Sequence, residues 1–411
     1  MSNETLRILM VVPGSFFSDY GAHVRIVEEI RALQKLGQQI TVITYYLGRD
    51  LPDLEIIRTR PTPWRSDYEV GSSRHRFVFD LFLGWTGLRV ALTRRFDIVH
   101  GHLHEGALIG YFLSRIQRVP LVADYQGSMT SEMIDQKFLD PNGPWYHWAR
   151  LLEMRINGLP DIILTSTNQA AVVMVKEFGC DPARVRPLPD SVNMRFFNPA
   201  VLSPAERAAQ RAALGIPDNQ PVVVYLGLLT DYQGIPQLLE ATRILKERGK
   251  EFHVLIGGFP TPRYEQMAAE SEVSDRVTFR GKIPLGEAPA HLALGDVAVA
   301  PKLSATEGCG KILDYMAMGL PTVAFDTPQS REYMGALGCY AGRTGDPVAL
   351  ADALAAFLDD PRKRLESGQR LRERAEQHFS WDRAGRQLLA VYRAVLSKTR
   401  RRLYGHPETP A

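Results

Sequence analysis

The chain has 411 residues, of which 45% are hydrophobic and 23% are charged, and its formal net charge is +3. This length suits two domains better than one, and the composition excludes a disordered or collagen-like chain. The small charge argues against nucleic acid as a partner, and three cysteines without a CxxC pair argue against a disulfide framework or a cysteine-based zinc site. The first residues do not resemble an export signal, and no apolar run reaches the roughly 18 residues of a spanning helix. We therefore expect a cytoplasmic protein, with peripheral contact at the inner membrane face as an open alternative.

The first half of the chain alternates β-type runs with helical patterns. Residues 7–12 predict a strand, and apolar residues at helical spacing over 24–36 predict a helix that stops at Gly37. Further strands are predicted at 39–45, 97–100, 120–124 and 161–166. Strands that alternate with helices indicate a parallel sheet covered by helices on both faces.

A second alternating region begins after a proline-rich stretch at 190–220. We place the domain boundary near residue 200. Strands are predicted at 221–227, 252–257, 277–280, 297–300 and 322–325, and a last helix at about 381–396 precedes basic residues at 398–402. The predicted fold is therefore α/β, with two Rossmann-like, doubly wound domains at 1–200 and 201–380 and a C-terminal segment, 381–411, that returns to the first. Ligands of such sheets bind beyond the carboxyl ends of the strands, so we expect the site in a cleft where the domains face each other.

The segment 306–321 (TEGCGKILDYMAMGLP) carries the most informative chemistry. Gly308 and Gly310 allow backbone N–H groups to approach an anion closely. Lys311 adds a charge at the start of a helix, where phosphate is favoured. Asp314, one turn further, is placed to accept hydrogen bonds from a ribose diol.

This segment resembles the donor-site motif of the family 4 glycosyltransferases, which have the GT-B fold. That family carries two acidic residues eight positions apart, the first beside the donor sugar and the second on the nucleotide ribose. The run DYMAMGLP matches the second half of the motif, with Asp314 in place of the family's glutamate. Eight positions earlier stands Thr306, and Glu307 follows it, so the resemblance implies a sugar contact by Glu307 through a loop shifted by one residue or a spacing particular to this subgroup.

Four other segments resemble the same family in the same order, so the resemblance covers nearly the whole chain. Gly21-Ala22-His23 resembles its glycine-rich acceptor-side loop, and FDIVHGH at 96–102 matches its Asp-x-x-His-x-His segment. In the family, a histidine at the position of His102 lies near the transferred sugar. The runs PDSVNMRFFNP at 189–199 and FSW at 379–381 resemble its linker and its signature before the last helix.

One departure from the family concerns the phosphates of the donor. The family usually has an arginine and a lysine after the first strand of the second domain, and this chain has Leu228 and Gln233 there. A diphosphate without cations in a closed cleft is costly. Lys302, Lys311 and the amides of 308–310 are the expected substitutes. The alternatives are that the donor is not a nucleoside diphosphate or that activity is lost.

Three other features allow more than one interpretation. His100, His102 and His104 alternate after a strand, but a polar lining is favoured over a metal site because no other segment offers ligands at a suitable spacing. The apolar stretch 77–92, which follows several arginines, is favoured as a core-packed helix over a membrane-surface or lipid-acceptor element. Gln126 at a strand end is as well explained by a turn as by acceptor contact.

The resemblance implies a retaining, metal-independent hexosyltransferase that moves a sugar from a nucleotide sugar to a hydroxyl acceptor in glycan, polysaccharide or glycolipid synthesis. No cofactor is expected, because the nucleotide sugar is a substrate. The predicted catalytic residues are His102 and Glu307. The donor side is Gly227, Gln233, Lys302, Gly308, Cys309, Gly310, Lys311 and Asp314, and the acceptor side is Gly21, Ala22, His23 and Gln126. The alternatives are a non-catalytic sugar-nucleotide-binding or partner subunit of the same fold, and a GT-B sugar-nucleotide epimerase.

Overall fold

The structure, a computed structural model, describes residues 4–18, 21–61, 76–135, 138–217, 219–303 and 308–404. Contacts divide the chain into two compact units. The first consists mainly of Met1–Pro189 and Trp381–Ala411, and the second of Asp190–Ala305 and Cys309–Ser380. None of the helices in the described ranges combines the length and the apolarity that crossing a bilayer requires.

The first unit is built on a parallel sheet which, in the described residues, has seven strands in the order β3-β2-β1-β4-β5-β6-β7. The strands are β1 Arg7–Val12, β2 Gln39–Thr44, β3 Glu55–Arg58, β4 Ile98–His102, β5 Leu121–Tyr125, β6 Ile162–Thr165 and β7 Val185–Pro187. The helices are α1 Gly21–Lys35, α2 Arg76–Thr93, α3 Leu103–Gln117, α4 Met129–Asp135, α5 Tyr146–Asn157 and α6 Asn168–Lys176. The strand order reverses between β1 and β4, and ligands bind at such a switch point.

Right-handed crossovers decide which helices share a face of this sheet. The crossover from β1 to β2 moves in one direction along the sheet, and the crossovers from β3 to β4, β4 to β5 and β5 to β6 move in the other direction. Helix α1 therefore lies on one face, and α2, α3 and α5 lie on the opposite face. The packing agrees with this, since α2 contacts α3 and α3 contacts α5.

The second unit repeats the design. Its parallel sheet has, in the described residues, six strands in the order β10-β9-β8-β11-β12-β13. The strands are β8 Val222–Leu226, β9 His253–Gly257, β10 Val277–Phe279, β11 Val297–Ala300, β12 Thr322–Phe325 and β13 Cys339–Ala341. The helices are α7 Pro204–Ala213, α8 Ile235–Glu247, α9 Pro262–Glu270, α10 Ala288–Ala293, α11 Lys311–Ala317, α12 Pro328–Met334, α13 Pro347–Leu358 and α14 Pro361–His378. The reversal lies between β8 and β11.

The core of the second unit lies on both faces of its sheet. Along β8, Val222 and Val224 pack into one apolar cluster while Val223 and Tyr225 pack into the other. Side chains alternate between the faces of a strand, and both faces are covered by helices. This double burial explains why the strand reads VVVYL rather than as an apolar–polar alternation. The predicted fold class, two doubly wound α/β domains, is confirmed.

Some boundaries differ from the predicted ones. The two units divide at Pro189 and Asp190 rather than near residue 200, because Val192 pairs with Ser380 and packs in the core of the second unit. The last helix, α15 Trp381–Tyr404, packs on α1 and runs past 396 through the basic residues. Lysine and arginine are good helix formers, and their charges suit a helix C-terminus, so the basic segment extends the helix instead of ending it.

Candidate functional site

The predicted catalytic residue His102 is fully buried at the end of β4. Its ring stacks on that of His100 with 4.4 Å between the ring centres. Its Nδ1 lies 3.5 Å from Oδ2 of Asp124, which stands beside it in the register of β4 and β5. Both nitrogens of His102 are buried without a hydrogen-bond partner in the described residues. The imidazole is therefore oriented by its neighbours but keeps hydrogen-bonding capacity for a ligand.

A buried ion pair holds Asp124 in place. Arg25 of α1 donates from Nε to Oδ2 at 3.0 Å and from Nη2 to Oδ1 at 3.2 Å, and Nη2 also donates to the carbonyl of Leu188 at 3.0 Å. Burial by itself would raise the pKa of Asp124, but Arg25 and His102 outweigh it and hold that pKa well below its usual range. Asp124 therefore stays ionised and fixes the orientation of His102.

Three buried side chains converge on His102. Glu29, His100, His102 and Asp124 each place a potential metal-ligand atom within 4.8 Å of the others. The sequence argument that no other segment supplies such ligands is therefore wrong, because α1 and β5 supply them. The Nε of Arg25 lies 3.0 Å from an oxygen of each carboxylate, so a guanidinium already stands as a cation in this cluster.

His104 belongs to a different group from the other two histidines. Its ring stacks on Tyr125 at 4.2 Å, and its Nε2 lies 3.6 Å from Oε1 of Glu153. Glu153 in turn accepts hydrogen bonds from the backbone N–H groups of Met129 and Thr130 at the start of α4. His104 is thus part of the packing between α3, α4 and α5, and the structure does not bring it to His102.

The predicted acceptor-side residues lie where strands of the first sheet end. Gly21 and Ala22 open α1. His23 packs edge-on against Phe16, with 5.6 Å between the ring centres, and its Nδ1 accepts a hydrogen bond from the N–H of Ser18 at 3.1 Å. Gln126 directly follows β5, and its Nε2 is buried without a hydrogen-bond partner in the described residues.

In the second unit, Lys311 at the start of α11 reaches the loop that follows β8. Its Nζ donates to Oε1 of Gln233 and to the hydroxyl of Tyr225, each at 2.8 Å. Gly227 has a φ of +152°, and a Cβ there would lie 2.6 Å from Nζ, so this glycine makes room for the ammonium. The structure therefore places the charge of Lys311 against position 233, where the family resemblance leads one to expect a lysine.

The electrostatics around Lys311 favour an anion. Burial and the nearby Lys302 lower the pKa of Lys311 to about 8, while Cys309 and Asp314 act in the opposite direction. Lys302 is itself buried. Two desolvated cations close together are unfavourable unless a negative group compensates them. Such a group would raise the pKa of Lys311 again.

The remaining donor-side residues flank Lys311. Gly310 immediately precedes α11, Cys309 is buried, and Asp314 lies in the first turn of the helix. The hydroxyl of Tyr315 fixes this helix to the end of β8, since it accepts a hydrogen bond from the N–H of Leu226 at 3.0 Å. Glu307 lies outside the described residues, so its role stays a prediction.

Sequence reasoning missed several residues that shape these sites. Tyr225, which accepts from Lys311 and donates to the carbonyl of Leu228 at 2.9 Å, reads in the sequence as one more apolar strand residue. The pairing of Arg25 with Asp124 carries no motif signal, because the two residues are 99 positions apart and only the sheet brings them together. Thr230, in the loop after β8, has a buried hydroxyl oxygen without a partner in the described residues. The sequence feature that could have indicated such residues is a polar group at the carboxyl end of a predicted strand.

Comparison with known proteins extends over both units. A family model described as Glycosyltransferase Family 4 matches residues 20–196, and one described as Glycosyl transferases group 1 matches residues 220–360. A D-inositol 3-phosphate glycosyltransferase from Corynebacterium glutamicum is 25% identical over 403 residues, which covers 92% of both chains.

Solved structures are similar over nearly the full length. Sucrose-phosphate synthase from Thermosynechococcus elongatus has a TM-score of 0.79 at 19% identity and covers 96% of this chain and 100% of its own. HepE from Anabaena, in complex with UDP and glucose, has a TM-score of 0.73 at 14% identity and covers 95% of this chain and 100% of its own. At these identities the likeness concerns the fold.

Proposed function

Because this chain belongs to the family 4 glycosyltransferases and has their GT-B fold, we propose that it transfers a sugar from a nucleoside-diphosphate sugar to a hydroxyl group of an acceptor. The observation that carries the proposal is the ammonium of Lys311, which is desolvated beside Gln233 and Tyr225 with Lys302 nearby. The complexes of HepE with UDP and with UDP-glucose support a nucleotide sugar as the donor.

The proposed reaction forms a bond between the acceptor oxygen and the anomeric carbon of the sugar. The bond from that carbon to the β-phosphate oxygen breaks, and the acceptor proton passes to the leaving diphosphate. Lys311 and Lys302 stabilise the negative charge that grows on the diphosphate. We include retention of anomeric configuration in the proposal, on the family resemblance. We also include independence of metals and cofactors, since two lysines supply the charge that a metal ion would otherwise supply.

The other side chains position the two substrates in this proposal. Asp314 accepts hydrogen bonds from the ribose, the amides at 308–310 contact phosphate, and Glu307 contacts the sugar. His102, with both ring nitrogens available for hydrogen bonding in the described residues, binds a hydroxyl of the transferred sugar. Gln126 offers its buried Nε2 to the acceptor. Holding both reactants in a fixed geometry lowers the barrier by removing the entropy cost of their encounter.

Calorimetric titration of Lys311 variants with UDP tests the central contact. We expect Lys311→Met to raise the Kd for UDP about 10- to 100-fold, because hydrogen bonds to charged groups contribute about 1.5–3 kcal/mol. Lys311→Arg keeps the charge and should stay within about fivefold of the original protein. Lys250→Met is the matched control, since Lys250 forms an exposed ion pair with Asp359 in the same unit and its loss should leave UDP binding unchanged.

The same titrations with GDP and ADP, with and without magnesium, identify the nucleotide. Equal Kd values for UDP in the original protein and in Lys311→Met would overturn the role given to Lys311. If none of the three nucleotides binds, the proposed donor is wrong and the non-catalytic alternative gains support. Release of UDP from UDP-glucose, compared between the original protein and Asp314→Ala, then separates binding from turnover.

A further inference from the structure

Helix α2 exposes a row of large apolar side chains. Phe77, Leu81, Trp85 and Leu92 are between 61% and 69% exposed. Steps of four and seven residues place them on one side of the helix. The opposite side of α2 packs in the core through Phe79, Leu83 and Val90. The sequence analysis favoured a core-packed helix, and the structure gives α2 both a core side and an exposed apolar side.

Helices α3 and α5 expose similar rows. On α3 the exposed residues are Leu108, Phe112 and Ile116, and on α5 they include Trp148 and Leu152, with Trp145 directly before the helix. The three helices lie on one face of the sheet, α2 against α3 and α3 against α5. We call these three exposed rows together the aromatic face. Contiguous apolar patches of this kind mark binding surfaces, because soluble surfaces usually carry such residues singly.

Tryptophan is concentrated on the aromatic face. The chain has five tryptophans, and Trp85, Trp145 and Trp148 are 61%, 73% and 64% exposed there. A tryptophan side chain combines a large apolar body with one N–H donor, which suits the boundary between water and lipid. Three tryptophans on or directly before adjacent helices therefore favour contact of this face with the boundary between water and lipid.

In the described parts of these three helices, the exposed charged side chains are arginines. Arg89, Arg115 and Arg155 are exposed near the C-terminal ends of the apolar rows of α2, α3 and α5. Each of these helices connects parallel strands and runs in the opposite direction to them. The C-terminal ends of the helices therefore lie on the side of the sheet where the strands begin. No acidic residue in the described parts of the three helices is exposed: Asp80 accepts a hydrogen bond from Tyr45, Glu153 is buried, and Glu105 is partly buried. The aromatic face is therefore apolar with a positive border.

We infer that the aromatic face docks this glycosyltransferase on the surface of an anionic lipid bilayer. The aromatic side chains enter the boundary between headgroups and acyl chains, and the three arginines reach the phosphates of the headgroups. Anionic lipid is the occupant that fits the charges, because the described parts of these three helices expose arginines and no carboxylate, and arginines attract a negative surface. This inference does not depend on the identity of the donor nucleotide or of the acceptor.

Co-sedimentation of the full chain with vesicles tests the inference. We expect binding to phosphatidylcholine vesicles that contain about 30% phosphatidylglycerol, with weaker binding to pure phosphatidylcholine and at high salt. The triple variant Trp85→Ser/Phe112→Ser/Trp148→Ser should partition at least about tenfold more weakly, since each buried aromatic ring contributes strongly. The variant Arg89→Gln/Arg115→Gln/Arg155→Gln should lose a similar factor on anionic vesicles and little on neutral ones.

Matched variants in the second unit control for general changes in the surface. Val201→Ser/Val348→Ser/Leu365→Ser removes three exposed apolar side chains elsewhere. Arg343→Gln/Arg362→Gln/Arg370→Gln removes the same charge from exposed positions. Both control proteins should bind anionic vesicles as the original chain does. Circular dichroism of every variant verifies that the fold is intact.

Two results would overturn the inference. One is a chain that does not sediment with anionic vesicles at low salt, or that binds equally well after the apolar triple substitution. The other is a chain that is dimeric in analytical ultracentrifugation, becomes monomeric in that triple variant and binds no lipid, since the aromatic face would then be an interface between two copies.

Discussion

The contact between Lys311 and Gln233 joins residues that are 78 positions apart in the sequence. At position 233 the family usually has a lysine, and here a glutamine accepts a hydrogen bond from a lysine of another element. The charge is therefore present near the same loop although the residue that carries it has moved. The sequence motif predicts that Lys311 matters, but only the packing of α11 against the end of β8 shows where its ammonium lies.

The lowered pKa of Lys311 predicts a pH dependence of nucleotide binding. An anion binds the protonated form, so affinity for UDP should be highest below about pH 8 and fall as pH rises through that value. Bound diphosphate in turn raises the pKa of Lys311, because a ligand that binds the protonated form also favours protonation. Titrations between pH 6.5 and about pH 9.5 should show this fall. Lys311→Arg, which stays charged, should abolish it, and a constant Kd in the original protein would contradict the prediction.

At the scale of elements, α8 has a glycine on each side, and the two glycines have different surroundings. Gly234, before the helix, has a φ of +79°, and a Cβ there would lie 1.8 Å from the carbonyl oxygen of Pro301. Gly249, after the helix, has a φ of +70° with no atom within 4 Å of that position. Both need the left-handed conformation, but only Gly234 also needs the space.

These two glycines give a matched pair of substitutions. Gly249→Ala should cost about 1–2 kcal/mol of unfolding free energy, which is the strain of the left-handed region alone. Gly234→Ala should cost about 2–5 kcal/mol, because the backbone of Pro301 must also move. Since Gly234 directly follows Gln233, we also expect weaker binding of UDP in Gly234→Ala only. Urea denaturation and calorimetry measure the two effects, and equal losses in both variants would rule out the steric contribution.

The sequence predicted every inner strand of the two described sheets but, of their four edge strands, only β10. The strands around β8 and β11 are continuous apolar runs, and the structure has them within a residue or two of the predicted positions. The sequence analysis did not identify β3, β7 and β13, which have three or four residues each. Such short runs carry little periodicity, and a neighbouring strand rather than their own sequence makes them strands.

At the scale of the whole molecule, each unit contains a carboxylate that arginines hold ionised. In the first unit this is Asp124 with Arg25. In the second it is Asp296, which bonds Arg207 and Arg211 of α7 at 2.7 Å each. Burial by itself would raise the pKa of Asp296, but the two arginines outweigh it, so the pKa is lowered. Each of these ion pairs therefore connects elements that are far apart in the sequence.

These carboxylates predict a loss of stability in acid. Their folded-state pKa values lie below the unfolded ones, so their contribution is fully present above about pH 4 and is lost as pH falls toward the folded values. The urea midpoint should drop between about pH 5 and pH 3, and Asp296→Asn should lower it at neutral pH and flatten that drop. Asp140→Asn, at an exposed position, is the control and should change neither. A midpoint independent of pH in the original protein would disprove this account.

By itself the sequence determined the fold class and the family. Continuous apolar runs, helical periodicity and the order of five short motifs are local properties of the chain, and the family resemblance they carry is confirmed by the two matched models. The tertiary structure decided which polar groups meet: Arg25 with Asp124, Lys311 with Gln233, and three exposed apolar rows on one face. These meetings depend on strand order and helix packing, which bring together residues that no spacing along the chain relates.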